Sequence, residues 1–265
     1  EYKENNESVW TNLTFLLDNT GKFNIKYNYD DILNSDFTAG ERQIIWEYEV
    51  LGIEPEAEQY KEMSRNEFKK AAEIYDSGHA GIYEMCKYDY PKILAELDNT
   101  DFADVLDCGC GTGPMLEILS EKYPQKHYTG LDLTPEMIAK AKQKNLPNTE
   151  FVVGDCENLP FADHSFDVVI CTNSFHHYPN PQAFFNSVYR VLRKGGRLIL
   201  RDYTSFGWVV WLMNHVEMPL ANLCGHGDVK VYKKEEYKDM IKKAGFSSMM
   251  IQAEKKMRCH VVATK

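Results

Sequence analysis

Apolar and polar positions change their period along this chain. From about residue 102, short apolar runs of strand length alternate with stretches whose apolar positions recur every three or four residues. ADVLDCG (103–109), HYTGLDL (127–133), EFVVGD (150–155), DVVICTN (167–173) and GRLILRDY (196–203) read as strands. GPMLEILSEKY (113–123), TPEMIAKAKQKN (134–145) and AFFNSVYRVLRKGG (183–196) read as helices. Thr134 and Pro135 supply an N-cap and a first helical position, and the third helix is expected to stop at its two glycines. Strand–helix alternation of this kind builds βαβ units, so an α/β fold with a parallel sheet covered by helices is expected. The last sixty residues add a helix, KKEEYKDMIKKAGF (233–246), and two runs, MMIQAE (249–254) and RCHVVATK (258–265), expected to pair antiparallel at the sheet edge.

Before residue 102 the pattern is different. Residues 1–60 alternate aromatic-rich pieces (VWTNLTFLL, FNIKYNY, RQIIWEYEVL) with Asn, Asp and Gly breaks, and read as a mainly helical, irregular extension. Ser64-x-x-Glu67 has the form of a capping box and predicts a helix opening there, with Gly78 placed to end it. A second helical stretch, residues 81–97, has Pro91 as a fresh start or a kink. The expected divisions are an extension over 1–63, a helical lid segment over 64–100 and a Rossmann-like domain over 101–265.

Charge follows the same border. The net charge is −10, yet residues 1–98 hold 21 Asp/Glu against 10 Lys/Arg, while the remainder is close to neutral. No basic field exists to neutralise a phosphate backbone, which argues against a nucleic-acid partner. The seven cysteines are odd in number and irregularly spaced, and several sit in apolar runs, which predicts reduced thiols in a cytoplasmic protein. The chain opens EYKENNES, so no signal peptide is expected, and the longest apolar stretch, Trp208 to Met213, is too short for membrane insertion.

The chemistry concentrates in Asp107-Cys108-Gly109-Cys110-Gly111-Thr112-Gly113, between the first strand of the alternating region and a helix. Alternate glycines let the backbone turn tightly and approach a ligand, and the following helix N-terminus offers unpaired N–H groups. A dinucleotide fingerprint needs GxGxxG, but Pro114 follows Gly113 here. An aspartate beside a pyrophosphate is electrostatically awkward, whereas one beside an ammonium group is not. Asp132 ends the second strand, 19 residues after Gly113, where a carboxylate accepts hydrogen bonds from a ribose diol. Asp155 ends the third, where it and the Cys156 N–H can meet a nucleobase edge.

These blocks resemble the class I S-adenosylmethionine-dependent methyltransferases, particularly small-molecule members of the ubiquinone/menaquinone-biosynthesis type. The resemblance spans about Asp104 to Lys265 and rests on VLDCGCGTG, GLDLTPEMIAKAK, FVVGDCENLPFADHSFDVVICTNSFHHY and VLRKGGRLILRDY, in family order. It implies a seven-stranded sheet of order 3-2-1-4-5-7-6 with the last strand antiparallel, and S-adenosylmethionine as cofactor. By position, the loop of Asp107, Gly109, Cys110, Gly111 and Gly113 would face the methionine moiety, and Asp132 the ribose. Leu133 would pack on the adenine, with Asp155 and Cys156 at its edge and Asn173 beside the transferable methyl. Tyr75 or Tyr83 would close over the cofactor.

At the transfer side, His176 and Asp202 are the candidate catalytic residues. The adjacent His176–His177 pair reads more simply as loop packing. No third ligand stands at a recognisable spacing from it, so no metal is expected. Cys108 and Cys110 occupy variable slots of the glycine loop. A substrate-binding insertion is expected at about 205–228, where Trp208, Trp211, Met213 and Met218 read as helix core more readily than as pocket lining, and His215 and His226 are weaker candidate bases. The leading expectation is methyl transfer to a small molecule, with a homodimer formed through the N-terminal extension. The alternatives are a nicotinamide-dependent oxidoreductase and a non-catalytic sensor or docking protein that binds the cofactor.

Overall fold

Alternation of apolar side chains along the strands buries both faces of one sheet. The computed structural model describes residues 12–17, 23–28, 56–76, 86–223 and 226–265. The chain falls into two compact units, residues 1–59 and 60–265. The larger holds β3 (Asp104–Cys108), β4 (His127–Asp132), β5 (Thr149–Val153), β6 (Phe166–Thr172), β7 (Leu192–Tyr203), β8 (Ser248–Glu254) and β9 (Arg258–Thr264). Their spatial order is β5-β4-β3-β6-β7-β9-β8. Counted within the sheet this is the expected 3-2-1-4-5-7-6, with β9 antiparallel to both β7 and β8.

Neighbouring residues on a strand serve opposite cores. Leu106, Val169, Cys171 and Leu200 pack with Phe184, Phe185 and Val188 of α5 (Pro181–Val191) and with Tyr237 and Ile241 of α8 (Lys234–Ala244). Val105, Val168, Ile170 and Ile199 pack on the other side, with Ile93 and Leu97 of α2 (Tyr90–Asp98), Leu116 and Leu119 of α3 (Pro114–Lys122), and Ile138 of α4 (Pro135–Gln143). Two-sided burial is what a parallel sheet requires.

Some local expectations change. α5 ends at Val191, ahead of the two glycines, because Leu192 already pairs with Phe166 as the first residue of β7. Ser64 does not open a helix: α1 runs Ala57–Ala71, and Ser64 is a buried mid-helix residue. Its hydroxyl donates to the Gly227 carbonyl at 3.1 Å, while the Glu67 carboxylate accepts from the Gly227 N–H at 3.0 Å, so the pair serves a tertiary contact. Gly78 lies outside the described residues. α1 provides the helix expected of the N-terminal part. Ahead of it, β1 (Asn12–Leu17) and β2 (Phe23–Asn28) pair antiparallel, an element not foreseen.

In the insertion after β7, α6 (Gly207–Leu212) and α7 (Met218–Leu223) flank a π-helical turn, Met213–Glu217. Val210, Met213 and Met218 form a small core with Val231. Trp208 and Trp211 are neither core nor cleft lining: they are 73% and 56% exposed. No helix among the described residues is long and apolar enough to cross a membrane.

A buried ionic network ties α2 to the strands. Asp89 is 2% exposed and accepts from Arg201 Nε at 2.8 Å, from Asn173 Nδ2 at 3.0 Å, and from Arg258. Arg201 continues to Glu254 at 3.0 Å. Removing one partner of such a network leaves buried cations uncompensated. Asp89→Ala should therefore lower unfolding free energy by about 3–5 kcal/mol, measured by urea denaturation, whereas a loss under about 1 kcal/mol would mean that the arginines are well solvated.

Candidate functional site

The carboxyl ends of β3, β4, β5 and β6 meet at one edge, where an open α/β sheet binds its ligands. Gly109 has φ +72°, and a Cβ on it would lie 2.0 Å from Ser174 Oγ, so both the left-handed backbone and the close approach require glycine. The N–H groups of Gly109 and Cys110 donate to the Leu131 carbonyl at 2.8 and 3.0 Å, fastening the loop to β4. Asp132 accepts from the Gly111 N–H and the Thr134 N–H, both at 2.9 Å. Burial pushes the Asp132 carboxyl above its ordinary value, and these two N–H groups oppose that shift. A carboxylate has about four lone-pair sites, so Asp132 keeps acceptor capacity for a diol.

Asp107 is 3% exposed and has no hydrogen-bond or ion-pair partner among the described residues. Burial first, and the neighbouring Asp132 second, push its carboxyl up to about 8. The Tyr75 ring lies over the glycine loop, 3.6–3.7 Å from where a Gly111 Cβ would stand, and burial raises its phenol well above the ordinary value. Tyr83 lies outside the described residues.

A cleft with about 470 Å³ of empty space opens beside the loop. Of the expected cofactor residues, Gly109, Asp132, Leu133, Asp155 and Cys156 line it. Asp107, near the end of β3, and Cys110, Gly111 and Gly113 of the adjoining loop are not part of the lining of this cleft. Asn173 ends the β6 run with φ +53°, and its side chain is engaged with Asp89 and Arg258. Sequence reasoning missed the roof. Lys61, Ser64 and Phe68 of α1 close one side, and the Lys61 ammonium stands 2.7 Å from both Asp155 and Glu157. Burial alone would lower the Lys61 pKa, but the two carboxylates outweigh it and hold the ammonium above its ordinary value.

Glu157, Ser174, His177 and Tyr178 also line the cleft and were not anticipated there. The histidine that faces it is His177, not His176. His176 is 7% exposed and its Nδ1 lies 2.7 Å from Asp202 Oδ1, with Asp202 itself 1% exposed. Burial would lower the His176 pKa, but Asp202 holds it up; reciprocally, His176 pulls Asp202 below the value burial would impose. His215 is packed on the Trp211 ring, and His226 is paired with Glu67 at 2.6 Å. All six described cysteines are unpaired and buried.

Residues 106–200 match the family described as "Methyltransferase domain", and residues 1–65 match the family described as "Immunity protein YezG-like". A malonyl-[acyl-carrier protein] O-methyltransferase of Herminiimonas arsenicoxydans is 31% identical over 194 residues, covering 73% of this chain and 70% of the relative. Phthiotriol/phenolphthiotriol dimycocerosates methyltransferase 1 of Mycobacterium ulcerans is 44% identical over 121 residues, 45% of each chain, so the chain spans less than half of that relative. Among solved structures, a SAM-dependent methyltransferase from Aquifex aeolicus superposes with a TM-score of 0.57 at 21% identity, covering 74% of this chain and 97% of the other. The PH0226 protein from Pyrococcus horikoshii gives 0.59 at 21% identity, covering 75% and 98%. These two similarities concern the fold.

The glycine geometry is testable with an internal control. Gly195 has φ +80° but nothing within 4 Å of its missing Cβ. Gly195→Ala should cost about 1–2 kcal/mol, the left-handed backbone penalty alone. Gly109→Ala should cost at least about 1 kcal/mol more in the same urea titration, since Ser174 must also move. Equal losses would show that the loop is not pressed against Ser174.

Proposed function

The chain belongs to the class I S-adenosylmethionine-dependent methyltransferases, and from that premise we propose that it transfers the methyl group of S-adenosylmethionine to a small-molecule acceptor. The observation that carries the reading is the buried, unpartnered Asp107 at the end of β3. A burial site for one negative group fits a ligand that brings a positive one, and the ammonium of the cofactor's methionine end is such a group. Asp132 would accept the ribose hydroxyls, Leu133 would pack on the adenine, and Asp155 with Cys156 would meet the adenine edge. Gly109, Gly111 and Gly113 leave the backbone bare for the methionine moiety, with Cys110 between them in the same loop and Asn173 beside it. Tyr75 over Gly111 and α1 over the cleft would keep water out.

S-adenosylmethionine supplies an electrophilic methyl on a sulfonium whose charge is lost on transfer, so positioning and desolvation do much of the protein's part. With Nδ1 committed to Asp202, His176 fixes the turn that carries Ser174, His177 and Tyr178 into the cleft. The buried pair thereby acts as a positioning element. The relatives act, by their names, on malonyl-[acyl-carrier protein] and on phthiotriol and phenolphthiotriol dimycocerosates, which supports a partly apolar acceptor. Pro114 and the unpaired Asp107 count against a nicotinamide dinucleotide.

The six buried free thiols support a reducing, cytoplasmic setting. The likeness of residues 1–65 to immunity proteins favours a protein-docking role for that segment, toward another protein or a second copy of the chain. Sedimentation of the full chain decides between these: a concentration-dependent dimer supports self-association, and a strict monomer removes it.

Transfer itself is tested by incubating the protein with S-adenosylmethionine and a metabolite extract. Mass spectrometry should find an extract component heavier by one methylene, formed together with S-adenosylhomocysteine, and the absence of both would contradict the proposal. Asp132→Ala should weaken S-adenosylhomocysteine binding roughly 10–100-fold by calorimetry, through lost hydrogen bonds worth about 1.5–3 kcal/mol. Unchanged affinity would place the ribose elsewhere.

A further inference from the structure

The fold brings a third side chain to the two adjacent histidines. His176 and His177 sit on a 3₁₀ turn (Phe175–His177) after β6, and Asp228 comes from the segment that leads from the insertion toward α8. One ligand atom from each of His176, His177 and Asp228 lies within 4.8 Å of the other two. His176 Nε2 is 3.4 Å from Asp228 Oδ1, and His177 Nδ1 is 3.6 Å from the same oxygen. Around a tetrahedral metal with bonds of about 2.1 Å, neighbouring ligands stand about 3.4 Å apart, so both distances suit one shared ion. We propose that His176, His177 and Asp228 form a divalent transition-metal site of the zinc class at the wall of the cleft.

The surroundings have the form of a metal site's outer shell. Asp202 is acceptor-only when ionised, so its 2.7 Å contact fixes the proton of His176 on Nδ1 and turns the Nε2 lone pair toward Asp228. A ligating histidine backed by a carboxylate in this way is oriented and made more basic. His177 Nδ1 stands 3.0 Å from the Gly227 carbonyl, so ligation through Nδ1 takes the tautomer with the proton on Nε2 and gives up that hydrogen bond. Two imidazoles and one carboxylate leave a fourth position open to water. The negative groups Asp202, Asp228 and Glu67 act on the two histidines, and Arg258 is a cation that acts on His176 against them.

The site lies where three elements join. Ser64 and Glu67 of α1 hold Gly227, and Asp228 follows it. A bound ion would fasten the turn after β6 to the segment that α1 already grips, stapling the roof of the cleft. In sequence Asp228 stands 51 residues after His177, so ligand spacing carries no signal.

The test uses the metal alone on the full-length, metal-stripped protein. Titration with Co²⁺ should give the visible d–d absorption of a four-coordinate ion, saturating at a single equivalent and bleached by Zn²⁺. His177→Ala and Asp228→Asn should each weaken Co²⁺ binding roughly tenfold or more. Asp228→Asn keeps the side-chain shape, so it remains informative should His177→Ala fail to fold. His226→Ala, in the same segment but paired with Glu67, should bind as wild type. Zn²⁺ should raise the melting temperature of wild type and not of Asp228→Asn. Absence of the Co²⁺ band, or an equal band in wild type and Asp228→Asn, would overturn the proposal. Calorimetry with S-adenosylhomocysteine on the stripped protein reports the cofactor site separately, so failure of one reading is not mistaken for failure of the other.

Discussion

A carboxyl group kept out of water, with no cation beside it among the described residues, sets the terms for this molecule. Asp107 stands there because β3 lies at the centre of the parallel sheet and ends at the glycine loop. The same parallel arrangement delivers Asp132 to the end of β4 and Asp155 to the start of the turn after β5. Three acids at one edge repel each other, and each is handled differently. Asp132 takes two backbone N–H groups, Asp155 takes the Lys61 ammonium and the Glu157 N–H, and Asp107 takes neither and is pushed toward its neutral form. The unbalanced member of the set is therefore the one positioned for a cationic ligand.

The roof follows from the same electrostatics. Lys61 reaches down from α1 to Asp155 and Glu157, and Glu67 on the same helix grips the segment from His226 to Gly227. A ligand that reads the Asp155 carboxylate must share it with Lys61 or displace it. In the proposed binding mode, opening of the cleft and engagement of the adenine end would be coupled through this one ion pair. The Asp89 network performs the structural counterpart, tying the start of α2 to Arg201 of β7, Arg258 of β9 and Asn173 after β6.

The sheet was legible because each strand carries its own signal: an apolar run, then an acid or a glycine where the chain must turn. The glycine loop was legible for the same reason, since Gly109 and Gly111 adopt positive φ, which glycine does at the least cost. What escaped reading depends on distant partners. Ser64 and Glu67 match a capping box in spacing, yet their hydrogen bonds go to Gly227, more than 150 residues on. Trp208 and Trp211 fall three apart on one helix face, and whether that face turns inward is decided by Val210 and Met213 packing on Val231, which the local pattern does not contain. The strand β2 was legible in principle, since FNIKYN alternates strictly between apolar and polar positions, but six residues set among Asn, Asp and Gly breaks give a short signal that an irregular helical reading passes over. The His176–His177 pair was visible, but which ring lines the cleft is fixed by Asp202 from the next strand.

The central claim is that Asp107 awaits a positive group, and calorimetry of S-adenosylhomocysteine binding tests it directly. A carboxyl pushed up to about 8 is mostly protonated in the free protein at pH 7, and an ammonium beside it drives ionisation. The groups facing it are the Asp132 carboxylate and the protonated thiols of Cys108, Cys110 and Cys171, none of them a cation. Binding at pH 7 in buffers of different ionisation enthalpy should therefore release about 0.9 proton per ligand, falling toward zero above pH 9 and lost in Asp107→Asn. Binding with no proton release at pH 7, or release unchanged in Asp107→Asn, would contradict the account.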